Sequence, residues 1–280
     1  MGLASSPTGA TLGATITTTL TIVDNDFASV GNPIDETAFF VRQHYIEFLN
    51  RAPDPDGFAY WVSNIESCGG DQSCREFKRT ETSAAFFLSI EFQETGFLVH
   101  RLFRAGLNRL PRYREFIRDA RELGRGVVVG RTGWEAQLEA NQQSLAAEPV
   151  ARSEFTLTHG ALSNEQYVDA LNANTGGSLS QVERDALVGG LNGATETRAS
   201  VLLKVAEDAD FVARERNPSF VLAQYFGYLR RNPDDPPDTN FAGFDFWLAK
   251  LNSFGGDFRR AEMVKSSLVS TEYRSRFGQP

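Results

Sequence analysis

The chain has 280 residues, 41% of them hydrophobic, and a net charge of −8 with a pI near 5.1. This length permits one large core or two to three small domains. The acidic balance excludes a nonspecific nucleic-acid binder, which needs clustered Lys and Arg, and no 18-residue apolar run is present to span a membrane.

The N-terminus shows neither the basic region nor the apolar stretch of a secretory leader, which suggests a start inside a larger protein. Residues 11–23, TLGATITTTLTIV, read as a β-strand with Ile16, Leu20 and Ile22 on one face and Thr17, Thr19 and Thr21 on the other. A strand with one apolar face wants one partner surface. It is expected to contact the helical body or another chain, which makes self-association through this strand an expectation. From Asp35, an expected N-cap, the period becomes helical, with Val41, Tyr45 and Phe48 on one face. Further helices are expected at 57–66, 72–90, 92–108, 133–147, 164–172, 180–191, 196–212, 218–230, 242–252 and 258–275. The Arg-rich stretch 109–132, which contains GRGVVVGRTG, reads as an irregular connection.

Cys68 and Cys74 lie six residues apart across a Gly-Gly loop. They have the spacing for a small disulfide ring, which would place the chain outside the reducing cytosol. Metal or redox chemistry is the alternative, but no His lies close by and CxxC is absent.

The sequence repeats itself. Tyr45, Phe48, Leu49, Arg51, Pro53 and Asp54 match Tyr225, Tyr228, Leu229, Arg231, Pro233 and Asp234 at one offset of 180. After a six-residue insertion, Gly57, Phe58 and Trp61 match Gly243, Phe244 and Trp247, and Gly69-Gly70-Asp71 matches Gly255-Gly256-Asp257. A weaker middle copy runs from Tyr167 to Phe211 without the Pro-Asp and Trp signatures. Each Pro ends a helix, Asp and Gly supply the turn, and Trp61 and Trp247 are expected as equivalent buried anchors of two helical corners.

The stretches FVRQHYIEFLNRAPDPDGFAYWV and YFGYLRRNPDDPPDTNFAGFDFWLAKLN resemble the repeat of the bacterial domain-of-unknown-function family 4214. The resemblance covers roughly 38–100 and 165–277. It implies an all-helical fold like that of phycobilisome linker domains, a setting in large secreted or cell-surface proteins, and no catalytic residues. The segment ATITTTLTIVDNDF is similar to the last strand of a Calx-beta domain, and on that pattern Asp24 and Asp26 would be calcium ligands. The expected divisions are 1–30 as remnant and linker of that sandwich, 31–108 as a first repeat unit and 109–163 as a connection. A degenerate middle repeat at 164–215 and a C-terminal unit at 216–280 complete them.

Candidate chemistry is sparse. His44, His100 and His159 share no metal spacing and read as helix or loop residues. Asp234, Asp235, Asp238 and Asn240 crowd one loop, the oxygen-rich composition that a calcium ion needs. Two prolines and the absent EF-hand pattern favour a solvated turn instead. The expected fold is all-α, a multi-helix repeat domain with a short N-terminal β-strand. The expected function is that of a non-enzymatic extracellular module in surface assembly, adhesion or spacing, with protein or surface-glycan partners, no nucleic acid and no cofactor beyond calcium. The rival is a secreted hydrolase or glycan-binding domain with an aromatic, acidic cleft between repeats.

Overall fold

The computed structural model describes residues 31–279, and the backbone alone at 148–151. The expected strand at 11–23 and Asp24 and Asp26 lie outside the described residues. Among the described residues every regular element is helical.

The chain builds one helical corner four times. In the first, α1 (Thr37–Phe48) ends at Asn50, held in the left-handed region at φ 53°. Asp54 then caps α2 (Pro55–Glu66) by accepting from the Gly57 N–H at 2.8 Å, while Pro55 occupies the first turn, where no N–H is needed. Asp71 caps α3 (Gln72–Phe87) in the same way through the Cys74 N–H. Glu36 rather than Asp35 occupies the N-cap of α1, because Asp35 closes a short 3-10 turn and pairs with Arg274.

Ser89 caps a short α4 (Ile90–Phe92), which runs through a π-helical stretch, Gln93–Phe97, into α5 (Leu98–Leu107). That continuous rod closes the first unit and opens the second. The second unit adds α6 (Tyr113–Leu123), α7 (Trp134–Ala151) and α8 (Ser153–His159). The sequence reading missed α6, placing an irregular connection there. The third unit has α9 (Asn164–Asn174), α10 (Gln181–Asn192) and α11 (Arg198–Ala206). The first two are capped by the Ser163 and Ser180 hydroxyls, each in a reciprocal box with a Gln or Glu three residues on. Then α12 (Ala209–Gln224), extended by a π-helical stretch Tyr225–Leu229, closes the third unit and opens the fourth. The fourth ends with α13 (Ala242–Ser253), α14 (Phe258–Ala261), α15 (Met263–Val269) and α16 (Thr271–Arg274).

The units share one core. Helix α12 packs against α5, α11 and α13, and α11 lies between α5 and α7. Aromatic rings dominate the centre: Phe87 contacts Phe48, Phe92, Phe220 and Tyr228 at centroid distances of 4.2 to 5.7 Å. Gly227 sits directly on the Phe48 ring, an approach that leaves no room for a side chain. Trp61 and Trp247 are only half-buried, at the rim of the core rather than within it. Their exposed neighbours Tyr60 and Phe246 meet them edge-on at 4.9 and 5.2 Å. The buried anchors of the corners are instead Tyr45 and Tyr225, whose hydroxyls press on Gly57 and Gly243.

Cys68 and Cys74 are disulfide-bonded, with Cα atoms 5.6 Å apart. The bond closes a short loop between α2 and α3 whose backbone is already held by the Asp71 cap. Its reduction is expected to cost roughly 2 kcal/mol, a fall in Tm of roughly 4 °C with unchanged helicity by circular dichroism. Loss of helical signal on reduction would refute that account. The two ends of the described chain also meet. Asn32 donates through its side-chain nitrogen to the carbonyls of Arg274 at 3.0 Å and Gln279 at 2.8 Å, and Arg274 pairs with Asp35 at 2.7 Å.

Candidate functional site

An arginine follows the first helix of three units and is held identically each time. Arg51 lies 5.0 Å over the Tyr45 ring and bridges Glu91 at 2.7 Å and Asp54 at 3.3 Å. Arg231 lies 5.4 Å over Tyr225 and bridges Glu272 at 2.6 Å and Asp238 at 2.8 Å. Arg109 lies 4.9 Å over Phe103 and bridges Glu154 at 2.7 Å and Glu115 at 2.9 Å. In each case one carboxylate belongs to the turn or helix just after the arginine. The other sits at the start of the helix that closes the unit. The residue before each arginine, Asn50, Asn108 and Arg230, is left-handed. The third unit keeps the aromatic ring, Tyr167, but Arg198 stacks on it from another helix and donates to the carbonyls of His159 and Leu162.

These bridges correct the sequence alignment. Asp238, and not Asp234, takes the place of Asp54, because the six-residue insertion falls between Arg231 and its carboxylate partner. Asp234 pairs with Arg112 of the second unit at 2.5 Å, and Asn232 accepts from the Tyr113 N–H at 2.7 Å. Asp235 folds back onto the backbone and side chain of Asn232. The carboxylates of Asp234, Asp235 and Asp238 are therefore taken up by different partners and do not converge. Among the described residues no group of three or more His, Cys, Asp or Glu forms a metal site, so this loop does not fit calcium. Pro53 and Pro233 lie in the turns after the first and last corner helices, while Gly57 and Gly243 stand within the first turns of α2 and α13, where a Cβ would meet the Tyr45 and Tyr225 hydroxyls.

A cleft of about 670 Å³ opens between the corners of the second and fourth units. Arg104, Arg109 and Arg112 line one side, Phe241, Phe244 and Asp245 the other, and Glu215 of α12 the floor. Glu215 receives a 2.6 Å hydrogen bond from the Nε2–H of buried His100, and Arg104 approaches it at 3.8 Å. Burial alone would raise the Glu215 carboxyl, but the His100 hydrogen bond and the Arg104 and Arg214 charges outweigh it and hold the group below its ordinary range. Burial pushes His100 down, which favours the neutral ring, and among the described residues its Nδ1 has no hydrogen-bond partner.

His44 is the second neutral buried histidine. Its Nδ1–H donates to the Phe40 carbonyl at 2.8 Å and its Nε2 accepts from the Ser83 hydroxyl at 2.6 Å, while Tyr228 donates to Ser83. Burial lowers its pKa to about 3. Because both histidines titrate lower when folded, the unfolded chain binds more protons below pH 6.5, and stability falls as pH drops through that range. Denaturant midpoints at pH 7.5 and 5.5 are expected to differ by the equivalent of about 1.4 kcal/mol from His44 alone, with His100 adding in the same direction. Equal midpoints would show that these rings charge freely in the folded state.

Residues 22–96 match the family described as Domain of unknown function (DUF4214). The DUF4214 match spans α1 to α4, the first unit with its Arg51 bridge and disulfide, and reaches back into residues outside the described part. No curated protein and no solved structure matches the chain.

Sequence reasoning missed the second unit's arginine bridge. Leu107-Asn108-Arg109-Leu110-Pro111 repeats Leu49-Asn50-Arg51-Ala52-Pro53 at an offset of 58, and Ser153-Glu154-Phe155 echoes Ser89-Ile90-Glu91-Phe92. A search for that pentapeptide would have found it.

Proposed function

We propose that this chain is a non-enzymatic helical module of a larger bacterial secreted or cell-surface protein, acting in surface assembly or adhesion through protein or glycan contacts. The observation that carries the reading is the recurrence of one arginine-bridged corner, in which the unit-closing carboxylates Glu91, Glu154 and Glu272 are each held by an arginine. Such carboxylates are mechanical parts, each occupied by its arginine. The cleft supports the same reading. A glycosidase needs a carboxylic acid with a raised pKa, and Glu215 is shifted the opposite way. Its aromatic rim suits binding of a ring-shaped ligand better than its cleavage, which keeps the glycan-binding alternative and disfavours the hydrolase.

The disulfide joins this argument, since it persists only in an oxidising compartment. The test is protease shaving of intact producing cells with alkylation of free thiols. Peptides from this chain in the shaved fraction, with Cys68 and Cys74 unalkylated until reduction, are expected. Peptides released only after lysis, carrying two alkylated cysteines, would overturn the proposal.

A further inference from the structure

The segment 109–131 holds seven arginines against three carboxylates in a protein whose net charge is −8. Four of them form a line. Arg114, Arg118 and Arg121 stand at i, i+4 and i+7 along α6, and Arg125 follows in the turn beyond its end. All four are exposed. The opposite face of α6 is fixed: Phe116, Ala120 and Leu123 are buried in the core, and Asp119, also buried, pairs with Arg152 at 2.7 Å. The arginine line is thus presented on a rigid support that begins beside the cleft wall at Arg109 and Arg112.

Half of the line is not taken up by carboxylates within the chain. Among the described residues no carboxylate pairs with Arg114 or Arg121, and Arg121 reaches only the Asn50 side chain, at 3.4 Å. Arg118 pairs with its neighbour Asp119, and Arg125 with Glu122. Exposed arrays of one sign repel themselves, so this face carries a cost that an anionic partner would relieve.

We infer that the arginine line of α6 is a docking face for an acidic polysaccharide, one bearing a carboxylate on its repeating sugar. This deepens the surface-module reading and rests on it. Three observations choose the occupant. A protein partner draws its affinity from a desolvated aromatic or aliphatic centre, and the line itself offers only guanidinium groups. A membrane would need the apolar face of α6, which is already spent in the core. Duplex nucleic acid carries a charge about every 1.7 Å of axis, several times denser than arginines spaced three and four residues apart at about 1.5 Å per residue. A polymer with one charge per sugar matches the wider spacing, and planar guanidinium forks suit carboxylates.

The experiment uses the full chain and immobilised polygalacturonate, with fully methyl-esterified polymer, poly-glutamate and duplex DNA as comparisons. Binding to polygalacturonate that weakens with added salt, and is absent on the esterified polymer, is expected. The double variant Arg114→Gln with Arg121→Gln should lose roughly tenfold in affinity. The pair Arg114→Lys with Arg121→Lys, which keeps charge at the same two positions, should retain most of it, so that charge is separated from folding. Equal binding by the Gln and Lys pairs, no binding by the unaltered chain, or tighter binding to poly-glutamate or DNA would each overturn the inference. A chain found at the cell surface that ignores polygalacturonate sinks this inference while leaving the surface-module reading standing.

Discussion

Arg51→Ala is expected to destabilise the chain by about 4 kcal/mol, near the middle of the range for stranding a buried charge. The partner left behind, Glu91, has a side chain only 6% exposed, so water cannot replace the lost guanidinium. The same substitution at the other two bridges should cost progressively less, because Glu272 is 36% exposed and Glu154 50%. The arginine geometry is nearly constant across the three sites, so the ranking Arg51, Arg231, Arg109 isolates carboxylate burial as the variable. Chemical denaturation of the three single variants measures it. Combining Arg51→Met with Glu91→Leu should recover much of the loss, since an apolar pair needs no desolvation of charge. Equal costs at all three sites would show that ring stacking, and not carboxylate burial, governs the bridge.

Gly227→Ala is expected to cost about 4 kcal/mol, above the usual range for overpacking. A Cβ added there would lie 1.8 Å from Cε1 of Phe48 and within 3 Å of two further ring carbons. Phe48 cannot retreat, because Phe87 stands 4.2 Å away, and His44 and Tyr228 meet it at 5.1 and 5.4 Å. Thermal unfolding followed by circular dichroism is the measurement. Adding Phe48→Leu to Gly227→Ala should restore part of the stability, whereas two neighbours that merely lost separate contacts would give additive losses. A neutral Gly227→Ala variant would mean that the first and fourth units do not pack as described.

The first and fourth corners were legible in the sequence because their signals are local. Pro53 and Pro233 stop a helix wherever they stand, and the aspartates and glycines beside them make turns by their own chemistry. Val41, Tyr45 and Phe48 could be read as core because they fall on one helical face. What escaped was whatever depends on distant partners. Helix α6 was hidden because arginines fill its outer face and leave only Phe116, Ile117, Ala120 and Leu123 to mark the period. The shift of function from Asp234 to Asp238 was hidden because only folding decides which carboxylate Arg231 can reach. Tryptophans repeated at equivalent positions suggested burial, yet repetition reports common descent, and the rim of a core is inherited as faithfully as its centre. An aromatic, acidic cleft between repeats entered the sequence reading only through the rival hydrolase or glycan-binding domain. Two of the arginines that line the observed cleft, Arg109 and Arg112, come from the stretch that the sequence reading had dissolved into a connection.

The meeting of Asn32 with Arg274 and Gln279 has a mechanical consequence. Residues 32 and 279 therefore lie side by side on one pole of the body. On the proposed reading as a module of a larger protein, such a body would add almost no contour to it and would hang from the line like a pendant. Tension applied at residues 32 and 279 would load the Asn32 hydrogen bonds and the Asp35–Arg274 pair first, peeling the ends apart, and would pass by the aromatic core until that small fastening opened. A rod that sets distance needs its ends at opposite poles. With both ends at one pole, this fold is better suited to displaying a surface than to keeping two surfaces apart.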